Sequence, residues 1–567
     1  MLTSLPPFAI LIAGAVLAGV LSGRARGLVM LAVPILGLVN LLGFEVGTVQ
    51  TWTVFGLELT IFEVDRLSLL FGYLFHIAAA IGALYSWHVG DRIQHVAAFA
   101  YAGAALGAVF AGDMVTLFVF WELMALTSVF LIWARRTEAS YRAGNRYLLI
   151  QAISGLVLLA GVVMRYRQTG TLEFTHIGLE SGELYAWLIL LGIGTKAAFP
   201  GLHVWLTDGY PHSTPTGTVW LSAFTTKVAV YALARGFAGT ELLVYVGAAM
   251  TAFPIFYAVI ENDLRRVLGY SMINQIGFMV VGVGVGTELA INGAVAHAFN
   301  DVLFKGLLFM SMGAVLHVTG RINGSDLGGL YRKMPITTAL CIVGAASISA
   351  FPLFSGFVSK SMVMVAALDA HHDIVWLILL FASAGVFHHA GIKIPYFAFF
   401  AHDRHIEARE PPKNMLAAMA VSALLCVLIG SVPSLLYGLL PYATSYSPYD
   451  ATHVLAQTQI LFFSALAFAW LQWMRLYPPE LRSVNLDADW IWRRPGRALL
   501  GGLAAVGLGV DRAVRAVTMR TTGTVVRGLT RSHGPHGILA RSWPTASIMV
   551  WVAVLLTGYL VLYFARP

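Results

Sequence analysis

The chain is 567 residues long, and its strongest constraint is a series of apolar stretches that each match the thickness of a lipid bilayer. An apolar helix of about 20 residues crosses the hydrocarbon layer. By that measure spans are read near 8–23, 28–44, 67–87, 93–112, 114–134, 147–164, 184–207, 217–236, 241–260, 267–286, 289–318, 335–368, 374–400, 415–439, 456–474 and 546–564. With short neighbours free to merge or re-enter, this makes about 14–16 crossings. In lipid the backbone must satisfy its own polar groups, which leaves helices or closed barrels. These stretches are too long and too uniformly apolar for barrel strands, which alternate. The fold class is therefore an all-α polytopic membrane protein. The first span lacks a basic run before its apolar core and a second follows at once, so it is not read as a cleaved signal peptide. Cys341 and Cys426 support neither a disulfide framework nor a metal site.

Charge stands out against this background. Five of the seven lysines, Lys196, Lys227, Lys305, Lys360 and Lys393, lie inside apolar stretches, while Lys333 and Lys413 lie in polar connectors. The arginines keep to connectors, span ends and a polar tail. A lysine in the membrane is costly, and a buried lysine can give up its proton where arginine in practice keeps it. The pattern reads as a device for moving protons or cations. If the N-terminus faces outside, the cytoplasmic connectors up to residue 455 hold fifteen basic residues, against Arg66, Arg165, Arg167 and Arg235 on the outer face. That bias fixes the orientation. Residues 475–545 carry 11 arginines and four acids, so much of the net charge of +8 is local. The segment faces anionic lipid or a partner rather than nucleic acid. Within it, Arg497 to Arg520 reads as an amphipathic helix with Leu499, Leu500, Leu503, Val506 and Val510 on one side. A loosely ordered connector is the other reading.

Three spans are interrupted. In the seventh, Pro200 follows Lys196, and a proline clashes with the carbonyl four residues back. In the twelfth, Pro352 precedes Lys360 in a stretch too long for one straight crossing. In the eleventh, the polar pair Asn300 and Asp301 interrupts the apolar run before Lys305. The seventh and twelfth share the tripeptide Ala-Phe-Pro, at 198–200 and 350–352. Paired breaks in two halves point to an internal repeat with ion sites at the breaks. Ordinary proline kinks would explain the breaks, but not a lysine beside each.

Glu122, central in the fifth span, needs a partner, and Lys196 is the natural one. The pair is either a proton switch or a static structural pair. Lys227 has no acid on its own helix and needs a distant partner, water, or neutrality. His297, Asp301 and Lys305 recur at helical spacing on one face, which makes a proton relay or polar glue between helices. Lys393 lies near the inner end of its span, where it either joins the pathway or snorkels to the surface. No zinc spacing, phosphate loop, haem ligand pair or nucleophile motif is present. No catalytic residue, metal or cofactor is therefore assigned.

Four motifs in order carry a family resemblance: Trp121-Glu122-Leu-Met, Lys196-Ala-Ala-Phe-Pro-Gly-Leu-His-Val-Trp-Leu, Thr226-Lys227-Val-Ala-Val-Tyr and Phe354-Ser-Gly-Phe-Val-Ser-Lys360. They resemble the antiporter-like membrane proteins, which include the large subunits of Mrp-type Na+/H+ antiporters and the pumping subunits of respiratory complex I and membrane-bound hydrogenases. Within that family the chain is most similar to the D subunit of the Mrp antiporter. The resemblance implies two inverted five-helix repeats with broken helices, and a polar axis at mid-membrane. It implies that Glu122 modulates Lys196, that Lys227 and the His297–Lys305 face carry protons laterally, and that Lys360 ends the second repeat. Related chains often have a second histidine where this one has Asp301, whose anion would favour the charged forms of His297 and Lys305.

The regions read as N-terminal helices at 1–66, repeats at 67–260 and 261–440, a further helix at 441–474, the basic segment 475–545 and a final anchor at 546–567. The expected function is as part of a multisubunit monovalent cation (Na+)/H+ antiporter in a bacterial inner membrane, with other hydrophobic subunits and lipid as partners and no nucleic acid. Two alternatives are a pumping subunit of a complex I or hydrogenase-type redox complex, and a membrane energy-coupling partner of a soluble enzyme docked through the arginine-rich tail.

Overall fold

The computed structural model describes residues 5–481 and 485–565. The chain forms two compact units, Met1–Asn485 and Leu486–Pro567.

The first unit opens with α1 (Pro7–Val20), α2 (Gly23–Leu41) and a hairpin of β1 (Val49–Val54) and β2 (Leu57–Glu63). Then come α3 (Arg66–Tyr85), α4 (Arg92–Val109), α5 (Met114–Trp133) and α6 (Glu138–Thr169). The next two crossings are each split: α7 (Leu184–Lys196) with α8 (Val204–His212), and α9 (Gly217–Ala223) with α10 (Thr225–Gly236). They are followed by α11 (Glu241–Ile260), α12 (Leu264–Val285), α13 (Glu288–Thr319), and the split pair α14 (Pro335–Ile348) and α15 (Ser355–Asp369). α16 (Asp373–Val386) passes through a π-helical turn at Phe387–Ile392, α17 (Lys393–Pro395) and a second π-helical turn at Tyr396–Phe400. The unit ends with α18 (Lys413–Ser431), the short α19 (Ser434–Tyr437) and α20 (Ala451–Trp473).

Among the described residues, eleven helices are long and apolar enough to cross a membrane, and the shorter apolar and split helices add further crossings. The chain is a multi-pass membrane protein of the expected all-α class. The hairpin at 49–63 falls in a stretch where the span reading places no element.

Capping residues show the internal repeat. Asp113 accepts from the backbone of Val115 and Thr116, both at 2.8 Å, and starts α5. Asp263 does the same for Arg265 and Arg266, at 2.8 and 3.1 Å, and starts α12. Thr137 and Thr287 cap α6 and α13, and both helices end on a glycine in the left-handed region, Gly170 and Gly320. Asp113 pairs with Glu173, and Asp263 with Asn323, in matching isolated bridges. One constant interval along the chain separates the members of each pair. α12 is the fifth crossing after α5. An odd number reverses direction, so the two halves have inverted topology.

α12 is enclosed by protein along nearly its whole length, and α13 along most of it. Close packing of α12 on α11 depends on glycines. A β-carbon on Gly277 would meet the Thr251 nitrogen at 2.7 Å and the Gly247 carbonyl at 2.8 Å. One sequence expectation is corrected. Asn300 and Asp301 do not interrupt the eleventh span, because α13 is a continuous helix through both. Polar side chains alone do not break a helix whose backbone bonds stay intact. The break in this region is at Phe224, between α9 and α10.

The second unit contains α21 (Asp489–Ile491), α22 (Arg497–His533) and α23 (Thr545–Phe564). α22 contains the expected amphipathic stretch and runs past Arg520 to His533. An Arg515–Asp511 pair at 2.9 Å braces its polar side.

Gly277→Ala should cost about 1–3 kcal/mol through overpacking, because backbone as well as the Thr251 side chain meets the new methyl. Thermal unfolding of the detergent-purified chain measures this; an unchanged midpoint would mean the helices are not in contact there.

Candidate functional site

In the first repeat Lys196 is the last residue of α7 and is fully buried. The chain then leaves the helix at Ala198, whose φ is +62°, and at Gly201, whose φ is +82°. A left-handed alanine costs roughly 1–2 kcal/mol, so surrounding contacts must hold the break open. One is the Trp205 indole, which donates to the Thr195 carbonyl at 2.8 Å. The Lys196 ammonium donates to the Trp121 carbonyl at 2.5 Å and lies 4.4 Å from the centre of that indole. Trp121 is held by Ser154 Oγ, at 3.2 Å from its Nε1, and Ser154 in turn donates to the Gly192 carbonyl at 2.7 Å.

Glu122 is half-buried. The direct Glu122–Lys196 ion pair expected from the sequence is not formed among the described residues. The lysine binds the Trp121 main chain instead, and the two charges still act on one another. A β-carbon on Gly155 would sit 1.6 Å from Glu122 Oε1, so the carboxylate occupies the notch this glycine leaves in α6. That oxygen has no hydrogen-bond partner.

The second repeat repeats the break. Ala350 has φ +59°, matching Ala198, and the following Leu353 has φ +73°. Pro200 and Pro352 both lie in the non-helical links. Lys360, on α15, donates back to the Ile348 carbonyl at the end of α14, at 3.0 Å. Ile348 and Lys196 hold the same place two residues before the left-handed alanine. The two lysines therefore reach equivalent breaks from opposite sides.

Between these breaks runs the polar axis. Lys227 and Asp301, both fully buried, pair at 2.5 Å. Lys227 also donates to the Ser222 carbonyl at 3.3 Å, at the end of α9. The pair joins α10 of the first repeat to α13 of the second. Asp301 is thus the distant partner that Lys227 needs, and its charge also acts on Lys305. Lys305 donates to Ser271 Oγ at 2.8 Å. His297 lies between Ser359 Oγ, at 3.0 Å from Nδ1, and Gln275 Oε1, at 3.1 Å from Nε2.

Ser271, Gln275 and Ser359 do not emerge from the sequence reading. A signal for them exists: they are polar residues on helices with no solvent-facing side. Lys393 is fully buried, which excludes snorkelling, and it pairs with Glu480 at 2.9 Å. No cluster of candidate metal ligands occurs among the described residues.

A family model described as the transmembrane region of NADH:quinone oxidoreductase/Mrp antiporter proteins matches residues 111–387. Residues 111–387 of the chain belong to this antiporter-like membrane family. It is 31% identical over 431 residues to the A subunit of the Na+/H+ antiporter of Alkalihalophilus pseudofirmus, covering 67% of this chain and 53% of that protein. It is 30% identical over 320 residues to the D subunit of the Na+/H+ antiporter from the same organism, covering 53% of this chain and 64% of that protein. A chain of the Mrp complex from Dietzia sp. DQ12-45-1b aligns at a TM-score of 0.78 with 26% identity, over 99% of this chain and 66% of that one. The chain thus spans little more than half the length of the first of these relatives. The family match takes in both breaks and the polar axis.

Asp301→Leu and Lys227→Met should each cost about 3–5 kcal/mol, because each leaves a buried charge unpaired. The double variant should cost far less than the two together. Denaturant unfolding of the purified variants closes this cycle, and additive losses would mean that the two groups are independent.

Proposed function

We propose that this chain is a proton-conducting membrane component of a multisubunit monovalent cation (Na+)/H+ antiporter. It sits in a bacterial inner membrane with other hydrophobic subunits, its N-terminus outside and residues 475–545 on the cytoplasmic side. The reading rests chiefly on the Lys227–Asp301 pair, a buried ion pair at 2.5 Å linking two inverted repeats. Lysines at equivalent helix breaks on either side support it.

A buried charge is stable only while it is paired. Taking Asp301 away from Lys227, or protonating it, leaves the ammonium uncompensated and favours release of its proton. Lys305 and Lys360 feel the same carboxylate, so a change at one pair is transmitted along the axis. Glu122 controls Lys196 in the same way from its notch against Gly155. His297, held between Gln275 and Ser359, sits where a proton can pass between α12 and α15. The Na+ specificity is carried over from the names of the relatives, and part of the cation path belongs to partner subunits.

The family also contains redox-driven pumps, and a long amphipathic helix followed by a terminal apolar helix fits an assembly that grips neighbours. Co-purification of iron–sulfur subunits would favour that second reading; co-purification of small hydrophobic subunits favours the antiporter.

Glu122→Gln and Asp301→Asn should lower Na+-dependent proton exchange in vesicles carrying the whole complex by roughly tenfold or more. Gly155→Ala should act like Glu122→Gln, because it displaces the carboxylate without removing it. Lys333→Ala, in an exposed connector, should exchange normally. Full exchange in both acid variants, at normal abundance, would overturn the conduction reading.

A further inference from the structure

The connectors that follow α13, the second π-helical turn and α20 share one face of the first unit. There Arg321, Ser325, Asp326, Arg404, Glu480 and Leu481 line an open cavity of about 350 Å3. Glu480 forms its inner wall, with a side chain only 5% exposed, and lies against Lys393. The Lys393 ammonium also donates to the carbonyls of Ala258, Val259 and Glu261 at 3.2, 2.6 and 2.7 Å. These lie at the C-terminal end of α11, where a cation is favoured. So many acceptors fix this charge in place. Glu261, the other acid nearby, is engaged by Arg266 at 3.9 Å and by Asn485 at 3.1 Å.

The groups behind this pair are not satisfied. Glu480 Oε2 and the Tyr477 hydroxyl are buried without a hydrogen-bond partner, and the His389 ring is buried with only the Gly385 carbonyl, one turn back on its own helix, in reach. Buried polar groups are nearly always paired, and a row of unpaired ones is a place where water enters. Burial and the Glu480 charge both push the Tyr477 hydroxyl well above its ordinary range, so it stays protonated as a donor. Tyr477 stacks on His388 with ring centres 5.4 Å apart and packs on Phe468 at 5.1 Å. His388 and His389 lie on the π-helical turn Phe387–Ile392, a distortion common at functional sites. Of the charges around it, the His389 ring feels Lys305 most, then His388 and Lys393.

We propose that these groups form a second access route to the polar axis, with Tyr477–Glu480 as its gate and His389 as the proton carrier between the cavity and Lys305. Glu480 takes a proton from cavity water and, once neutral, releases its hold on Lys393, so the segment loosens. The proton then crosses water beside Tyr477 to the free ring nitrogen of His389, and the imidazolium so formed gives it up toward Lys305, returning the ring to neutral. The proposal rests on the reading that the Lys305 axis conducts protons.

The test reads water access apart from transport. In a Cys341→Ala/Cys426→Ala background, His389→Cys is exposed to a membrane-impermeant thiol reagent in vesicles of each orientation carrying the full complex. Labelling should occur from the cavity face only, and Glu480→Gln should speed it about tenfold by raising the open population. His389→Ala should lower proton exchange roughly tenfold at normal abundance. His388→Cys, on the same turn, is the second reporter if His389→Cys fails to assemble. No labelling from the cavity face, or a rate indifferent to Glu480→Gln, would make the segment a static latch and overturn the proposal. Gated labelling in a complex without cation/proton exchange would sink the antiporter reading and leave the gate standing. Normal exchange with ungated labelling would do the reverse.

Discussion

The structure depends on ammonium groups seated at helix ends inside the protein. Lys227 donates to the Ser222 carbonyl at the end of α9, Lys360 to the Ile348 carbonyl at the end of α14, and Lys393 to the carbonyls closing α11. Helix C-termini leave carbonyls unpaired and carry partial negative charge. In lipid such ends would be costly, because no water is present to satisfy them. A buried lysine therefore answers two problems at once: the helix ends inside the protein need donors, and the ammonium needs acceptors. The breaks and the lysines make sense only together.

That arrangement leaves a deficit of negative charge. Asp301 is fully buried and pairs with Lys227, yet its charge also acts on Lys305 and Lys360. One carboxylate cannot balance all three ammonium groups. Backbone carbonyls and Ser271 supply dipoles but no net charge. Burial disfavours the surplus charge, and this imbalance is what the proposed pathway would use.

Features governed by local rules are legible in the sequence. Span length, the prolines at the two links and the position of each buried lysine follow from the chemistry of single segments, and the structure agrees on them. The break at Phe224 is not legible, because neither proline nor glycine marks it; tertiary packing bends the chain there. The continuity of α13 is hidden because polar residues in an apolar run look like an interruption, whereas an enclosed helix can direct them at partners. Partner choice is the least legible. Lys227 finds Asp301 and Lys393 finds Glu480 only once distant segments are folded together, so sequence spacing alone assigns Asp301 to its neighbours on the same helix. The shared tripeptide points to a repeat, whereas the stronger marks, the matched caps and bridges, are single residues whose meaning emerges only when their helices are known.

The division of labour between arginine and lysine follows from the same physics. Arg265 is as deeply buried as the lysines. Its Nη2 reaches the carbonyls of Tyr210 and Ser213 at 3.1 Å each and that of Thr214 at 3.3 Å, and also contacts Thr218. This guanidinium ties the end of α8 and the start of α9 to α12. Arg146 holds Asp208 through two bonds, at 2.7 and 3.0 Å, and so fixes α8 to α6. Guanidinium does not lose its proton in proteins and grips with several donors, so it suits a joint that must never open. An ammonium on a flexible stem loses its proton when desolvated and can move between acceptors. Arginine near the ends of the broken crossings and lysine at their breaks therefore hold the frame rigid while leaving the charges on the axis free to change.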